Sequence, residues 1–277
     1  MKQWLGKVER TADEISLFPL RALAATLDSS ERACERGDSV PPCAHWLYFL
    51  PLHRLSDVGS DGHARRGGFL PPVPLPRRMW AGSRIEFLQP LRVGESVANT
   101  SRIVDVSCKQ GRSGPLVFVR VRHEIENSTG LALVEEQDIV YRDQPKPGDV
   151  SPASPPLSHN REWTRQIEPD ALLLFRFSAL TFNGHRIHYD RPYATGEEGY
   201  PGLVVHSPLT ATLLLDLLHR NLPHAELSHF SFRAVKPLFD TAPFLICGGR
   251  GEEPKTVHLW AEHLDGALAM LATATLR

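Results

Sequence analysis

The stretch SPLTATLLLDLLHR, Ser207 to Arg220, decides the fold. Ser207 is a favourable N-cap and Pro208 suits the first helical position, while His219 and Arg220 suit the negative end of the helix dipole before Pro223. Between these signals Leu209, Ala211, Leu213, Leu214, Leu215, Leu217 and Leu218 make the helix apolar nearly all round. Such a helix must be covered on several sides, which a curved sheet wrapped around it would do.

Strand-like runs follow at Ser228 to Pro237, Phe244 to Gly249, Val257 to His263 and Ala267 to Leu276. Upstream the order repeats. Leu20, Leu23 and Leu27 recur at helical spacing behind Pro19, and a second helical stretch is expected around Ala44 to Leu55. Strands are then expected at Arg84 to Leu88, Ser96 to Val106, Leu116 to Glu126 and Leu131 to Tyr141, with Gly111, Gly114 and Gly130 in the turns. GGFLPPVPLPRRMW, Gly67 to Trp80, reads as an ordered loop or lid, because its prolines fit neither a helix nor a central strand. Helix followed by antiparallel meander, twice over, gives an α+β class.

The halves are divided at DQPKPGDVSPASPPLSHN, Asp143 to Asn160, whose five prolines prevent a continuous helix or ladder. We read residues 1–142 and 161–277 as two domains and 143–160 as the linker; 277 residues accommodate two such cores. The balance of 31 Lys and Arg against 32 Asp and Glu gives no global field for nucleic acid or an anionic membrane. Cys34, Cys43, Cys108 and Cys247 have no CxxC spacing, so neither a zinc ribbon nor a disulfide scaffold is suggested. The first ten residues lack an apolar signal core, and no run approaches membrane-spanning length, so a cytoplasmic location is expected. No GxSxG, P-loop or complete GxGxxG motif occurs.

The stretch carrying chemistry is FRFSALTFNGHRIHYDRPYATGEEGYPGLVVHSPL, Phe175 to Leu209, which packs polar residues between two apolar elements. His188 can be a satisfied core histidine or a base that titrates near neutrality. Asn183 can shape the loop through an Asx turn or orient a water, but its amide cannot carry a proton. His185 and His188, three apart, are a weak metal pattern without further defined ligands, and no metal is expected.

This stretch resembles the MaoC-like hydratases and dehydratases, whose motif places an Asp and a His five residues apart; Asn183 and His188 take those positions. SALTFN from Ser178 and HRIHYD from His185 are similar to the subgroup of fungal mitochondrial 3-hydroxyacyl-thioester dehydratases and bacterial itaconyl-CoA or mesaconyl-CoA hydratases. AHWLYFLPLHRLSDVG from Ala44 and GGFLPPVPLPRRMWAGSRIEF from Gly67 resemble the bacterial group, so the likeness spans most of the chain. The resemblance implies a double hotdog, two units each with an antiparallel sheet around a central helix. It also implies a hydro-lyase of acyl-CoA, and specifically hydration of itaconyl-CoA or mesaconyl-CoA to citramalyl-CoA, as in itaconate degradation. No cofactor is implied beyond the coenzyme A of the substrate, and the assembly would be a monomeric double hotdog or a homodimer. A lipid-synthesis dehydratase and a non-catalytic acyl-CoA binder are the alternative readings.

Within that frame His188 is the base, able to serve both proton steps, with Asn183 as its catalytic neighbour. The backbone N–H groups of Ser207 and Leu209 are candidates to hold the thioester oxygen at the helix start. His206 and Tyr189 are candidate lining residues. Arg176, Arg186, Arg191 and Arg233 are available for a substrate carboxylate, and Arg65, Arg66, Arg77, Arg78 or Lys236 for coenzyme A phosphates.

Overall fold

A computed structural model describes residues 1–29, 34–111, 114–144 and 160–277. The described residues build one ten-stranded antiparallel sheet. Its first half comprises β1 (Val8–Glu14), β2 (Arg77–Phe87), β3 (Ser96–Gly111), β4 (Gly114–Asn127) and β5 (Gly130–Arg142), ordered β1-β3-β4-β5-β2. The second half comprises β6 (Trp163–Ile167), β7 (Leu227–Ala234), β8 (Phe244–Arg250), β9 (Thr256–His263) and β10 (Leu268–Leu276), ordered β7-β10-β9-β8-β6. Each half thus repeats the same strand connectivity, and they join where β2 pairs with β7 from Gly82↔Arg233 to Glu86↔His229. This is the double hotdog.

Three α-helices accompany the sheet among the described residues: α1 (Leu17–Thr26), α2 (Ala171–Leu180) and α3 (Ser207–Asn221). The core of α3 is as the sequence requires: its leucines from Leu209 to Leu218 are buried on all sides, facing β6, β8, β9, β10 and β2. Each fully buried leucine contributes roughly 1.5–3 kcal/mol relative to exposure, so α3 is the main anchor of its half. No helix is long and apolar enough to cross a membrane among the described residues.

Several expectations need correction. Ser207 is the first helical residue, and His206 stands at the N-cap without a side-chain cap bond. The helix expected at Ala44 to Leu55 is only a 3-10 turn at Ala44–Leu47, followed by irregular chain and a second 3-10 turn at Leu55–Asp57. Pro51 denies the helix a donor and restricts Leu50, while Cys43 and Phe49 adopt left-handed backbone. Thus, among the described residues, the first half has no counterpart of α3; irregular chain takes its topological place. RRMW, assigned to the proline-rich loop, begins β2 instead, since the last proline of that segment is Pro76. β1, β6 and α2 were not expected; α2 absorbs the start of the motif-bearing stretch. Most of the expected linker, 145–159, lies outside the described residues.

One buried polar network ties the irregular chain to the first sheet. Glu135 of β5 accepts hydrogen bonds from His45 Nε2 (3.0 Å), Trp46 Nε1 (3.0 Å) and Ser83 Oγ (2.7 Å). Burial alone would push its carboxyl up, but these bonds, with the charges of His45 and His123, outweigh it and hold the group at about 2.

Candidate active site

The site is assembled on the segment between α2 and α3. Asp170 caps α2 by accepting from Leu173 N (2.7 Å), which fixes the helix that delivers Ser178. After α2 the chain turns through Phe182 in left-handed backbone. Asn183 Oδ1 accepts the backbone N–H of His185 at 3.0 Å, an Asx turn. Asn183 therefore shapes the loop, and its side-chain oxygen is engaged in doing so.

His188 ends a 3-10 turn at Arg186–His188 and is buried. Its Nδ1 lies 2.7 Å from the carbonyl of Val204, while Val204 N donates to Ile187 O at 2.9 Å. A carbonyl only accepts, so Nδ1 carries the hydrogen in the neutral ring and Nε2 is left as the basic nitrogen. Burial lowers the imidazole to about 4, against the opposing effect of the Val204 bond and with a further push from His63. His188 is thus neutral at physiological pH, with Nε2 able to accept a proton.

Val204 is itself held in place. Asp240 accepts from Leu203 N at 2.8 Å and pairs with Arg191 at 2.5 Å, so Arg191 anchors the segment bearing Val204. His206 stacks on His188, with ring centroids 3.6 Å apart and planes 17° apart. The Ser178 hydroxyl lies 2.8 Å from His206 Nε2, and His206 Nδ1 is buried with no partner among the described residues. Burial, reinforced by His188, holds His206 well below the ordinary imidazole range. Directly after it come the first-turn N–H groups of Ser207 and Leu209, which have no acceptor within their helix.

A loop from the first half reaches this segment. Arg186 N donates to Asp61 O at 2.9 Å, and Arg186 Nη1 donates to Ser60 O at 2.9 Å. At Gly62, with φ +87°, an added Cβ would stand 1.8 Å from the Gly184 carbonyl oxygen, so the two backbones meet face to face. This docking lays His63 against His185 (centroids 3.9 Å), and His185 meets His188 edge-on (5.4 Å). Asp61 Oδ2 lies 3.3 Å from His63 Nδ1. Burial would raise the Asp61 carboxyl, but the His63 bonds and the charges of His63 and Arg78 hold it at about 2. Burial lowers His63 while its Asp61 bond opposes that; His185 is depressed by burial, then by His63, His188 and Arg78.

One ligand atom from each of Asp61, His63 and His185 falls within 4.8 Å of the others. The Asp61 and His63 side chains are hydrogen-bonded to each other, and the His63 and His185 rings contact at a 38° tilt. The His63 Nδ1 is engaged with Asp61, which leaves its Nε2 for any further partner.

A cavity of about 700 Å³ opens beside the loop, lined by His63, Arg65, Arg66, Arg78, Arg186 and Tyr193 among others. Among the expected anion ligands, Arg186 is paired with Asp190 (2.8 Å) and lies over the Tyr193 ring. Arg66 is given to the carbonyls of Val73, Leu75 and Pro76. Arg77 is buried in an ion pair with Glu198 (3.1 Å) and lies over the Tyr200 ring, a structural role rather than a phosphate contact. Tyr189 is half exposed and donates to Gly184 O (2.9 Å). Arg176 and Arg233 are exposed, on α2 and β7, and neither they nor Lys236 line the cavity. Arg65 and Arg78 line it with no ion-paired carboxylate among the described residues.

Comparison with known proteins bears on the family and the fold. A family model described as hydroxyacyl-thioester dehydratase type 2 matches residues 43–240. The mesaconyl-C(4)-CoA hydratase of Chloroflexus aurantiacus is 49% identical, over 99% of this chain and 96% of its own. The mitochondrial hydroxyacyl-thioester dehydratase type 2 of Schizosaccharomyces pombe is 29% identical, over 85% of this chain and 88% of its own. In fold, a MaoC-like dehydratase from Phytophthora capsici superposes with a TM-score of 0.72 at 12% identity, covering 98% of this chain and 95% of that one.

Proposed function

This chain belongs to the hydroxyacyl-thioester dehydratase type 2 family and is a hydro-lyase, and from that premise we propose that it hydrates a short, branched, dicarboxylic enoyl-CoA in the cytoplasm. Mesaconyl-CoA or itaconyl-CoA, yielding citramalyl-CoA as in itaconate degradation, is the leading substrate. The observation that carries this reading is the cavity beside the histidine cluster, lined by Arg65, Arg66, Arg78 and Arg186 as well as by Asp61, Glu197 and Glu198, in which Arg78 has no ion-paired carboxylate among the described residues. The likeness to a mesaconyl-C(4)-CoA hydratase over nearly the whole chain supports it.

Neutral His188 takes a proton from water through Nε2 as the hydroxyl adds to the enoyl β-carbon. The negative charge then developing on the thioester oxygen is received by the N–H groups of Ser207 and Leu209 at the positive end of α3. Arg78 holds the distal carboxylate, and Arg65, more exposed, faces a coenzyme A phosphate. A carboxylate-holding arginine distinguishes this site from one for long acyl chains, which would need an apolar tunnel.

The test follows loss of enoyl-thioester absorbance with mesaconyl-CoA, itaconyl-CoA, crotonyl-CoA and longer enoyl-CoAs, then repeats the best substrate with Arg78→Ala and His188→Ala. Turnover of a C5 dicarboxylic thioester is expected, with KM rising at least tenfold in Arg78→Ala and kcat falling ~10²–10⁴-fold in His188→Ala. Preference for long monocarboxylic chains would place the protein with lipid dehydratases instead. Tight binding without turnover would make it an acyl-CoA carrier.

A further inference from the structure

In hydration two protons move: one leaves water, and one arrives at the α-carbon. The family motif expected a carboxylic acid five residues before His188, and Asn183 there has no proton to exchange. The cavity wall, however, is lined by His63 and Asp61 of the first half rather than by His188, and the docked Gly59–His63 loop fixes both. Of the four clustered imidazoles, His63 is the one hydrogen-bonded to a carboxylate, so a positive charge on the cluster is best held there.

We propose that His63, oriented by Asp61, is the second proton-carrying residue of the reaction, brought from the N-terminal half to do what the acid absent at position 183 would have done. In the hydration direction, a water O–H bond breaks and its proton goes to His188 Nε2. The C–O bond forms at the β-carbon, and the π pair moves toward the thioester oxygen. Protonated His63 then releases its Nε2 proton to the α-carbon, keeping Nδ1–H on Asp61. The proton on His188 returns to His63 through solvent, since no hydrogen bond joins these rings to His185 among the described residues. Dehydration runs the same steps backward: neutral His63 removes the α-proton and His188 protonates the departing hydroxyl. The charged or titratable groups bearing on His63 are Asp61, His185, His188, Arg66 and Arg78.

The inference rests on His188 as the base, so His188→Ala is measured in parallel. His63→Gln is expected to lower kcat at least ~10²-fold with KM changed less than threefold. It should also abolish the alkaline limb of the kcat/KM profile for hydration, where His63 must be protonated. Asp61→Asn, which removes the anion that favours imidazolium, should move that limb to lower pH and leave the acid limb in place. Thermal melts of both variants check that the fold is kept. A folded His63→Gln enzyme with wild-type kcat, or with lower kcat but an unchanged pH profile, would overturn the proposal. So would loss of wild-type activity on chelation and its return with a divalent cation. Undiminished activity in His188→Ala would instead sink the base assignment, a separate failure.

Discussion

The docked glycine pair offers the sharpest perturbation of the site from outside it. In Gly62→Ala, the new Cβ would lie 1.8 Å from Gly184 O, where no real contact is tolerated, and φ would stay at +87° only under strain. Left-handed backbone costs an L-residue about 1–2 kcal/mol, borne by the docked state in addition to the clash with the Gly184 carbonyl. The strain alone, at a tenfold change per 1.36 kcal/mol, is roughly a 5- to 30-fold loss of competent enzyme, and the clash adds to it. The assay is initial-rate absorbance loss of the preferred enoyl-CoA, with circular dichroism to show the sheet intact. Gly68→Ala serves as the control, because a Cβ there meets nothing within 4 Å. Activity of Gly62→Ala within threefold of wild type would refute the view that the first-half loop is part of the site.

Arg77→Ala should unfold earlier in urea by about 3 kcal/mol, since it strands Glu198 in a buried ion pair. Glu135 gives an acid-stability signature: its folded carboxyl, at about 2, lies below the ordinary 4.5 of a glutamate. The stabilisation is therefore fully present above pH 4.5 and is lost as pH falls from there through about 2, and urea midpoints of Glu135→Gln should show a shallower decline over that window. Because burial lowers His188 to about 4, the acid limb of kcat/KM should fall there rather than near the usual imidazole value; a limb above pH 6 would contradict the buried, neutral base.

The elements legible in the sequence were those whose burial imposes a period. α3 declared itself through all-round leucines, and β3, β4, β5 and β7 to β10 through β-rich runs between turns. β1, VERTADE, is largely exposed along its length, so no apolar alternation marks it. α2 was hidden because its residues belong to the motif, although Asp170 before an apolar run is an ordinary N-cap signal. In the site, the motif pointed to His188 and His206, which the fold stacks together. It could not reveal Asp61 and His63, which stand more than a hundred residues away and meet the motif only through tertiary docking. The clue was present in SDVGSDGH: two glycines beside an Asp and a His, a loop built for close backbone approach.

The two halves have the same strand order, yet among the described residues only the second has an enclosed helix. In a dimer of identical subunits each copy would have to serve as both framework and wall, because any change in one appears in the other. Joining the copies in one chain releases them from that constraint. Where the second half has its central helix the first has irregular chain that reaches its neighbour's histidines, an asymmetry open only to a fused pair.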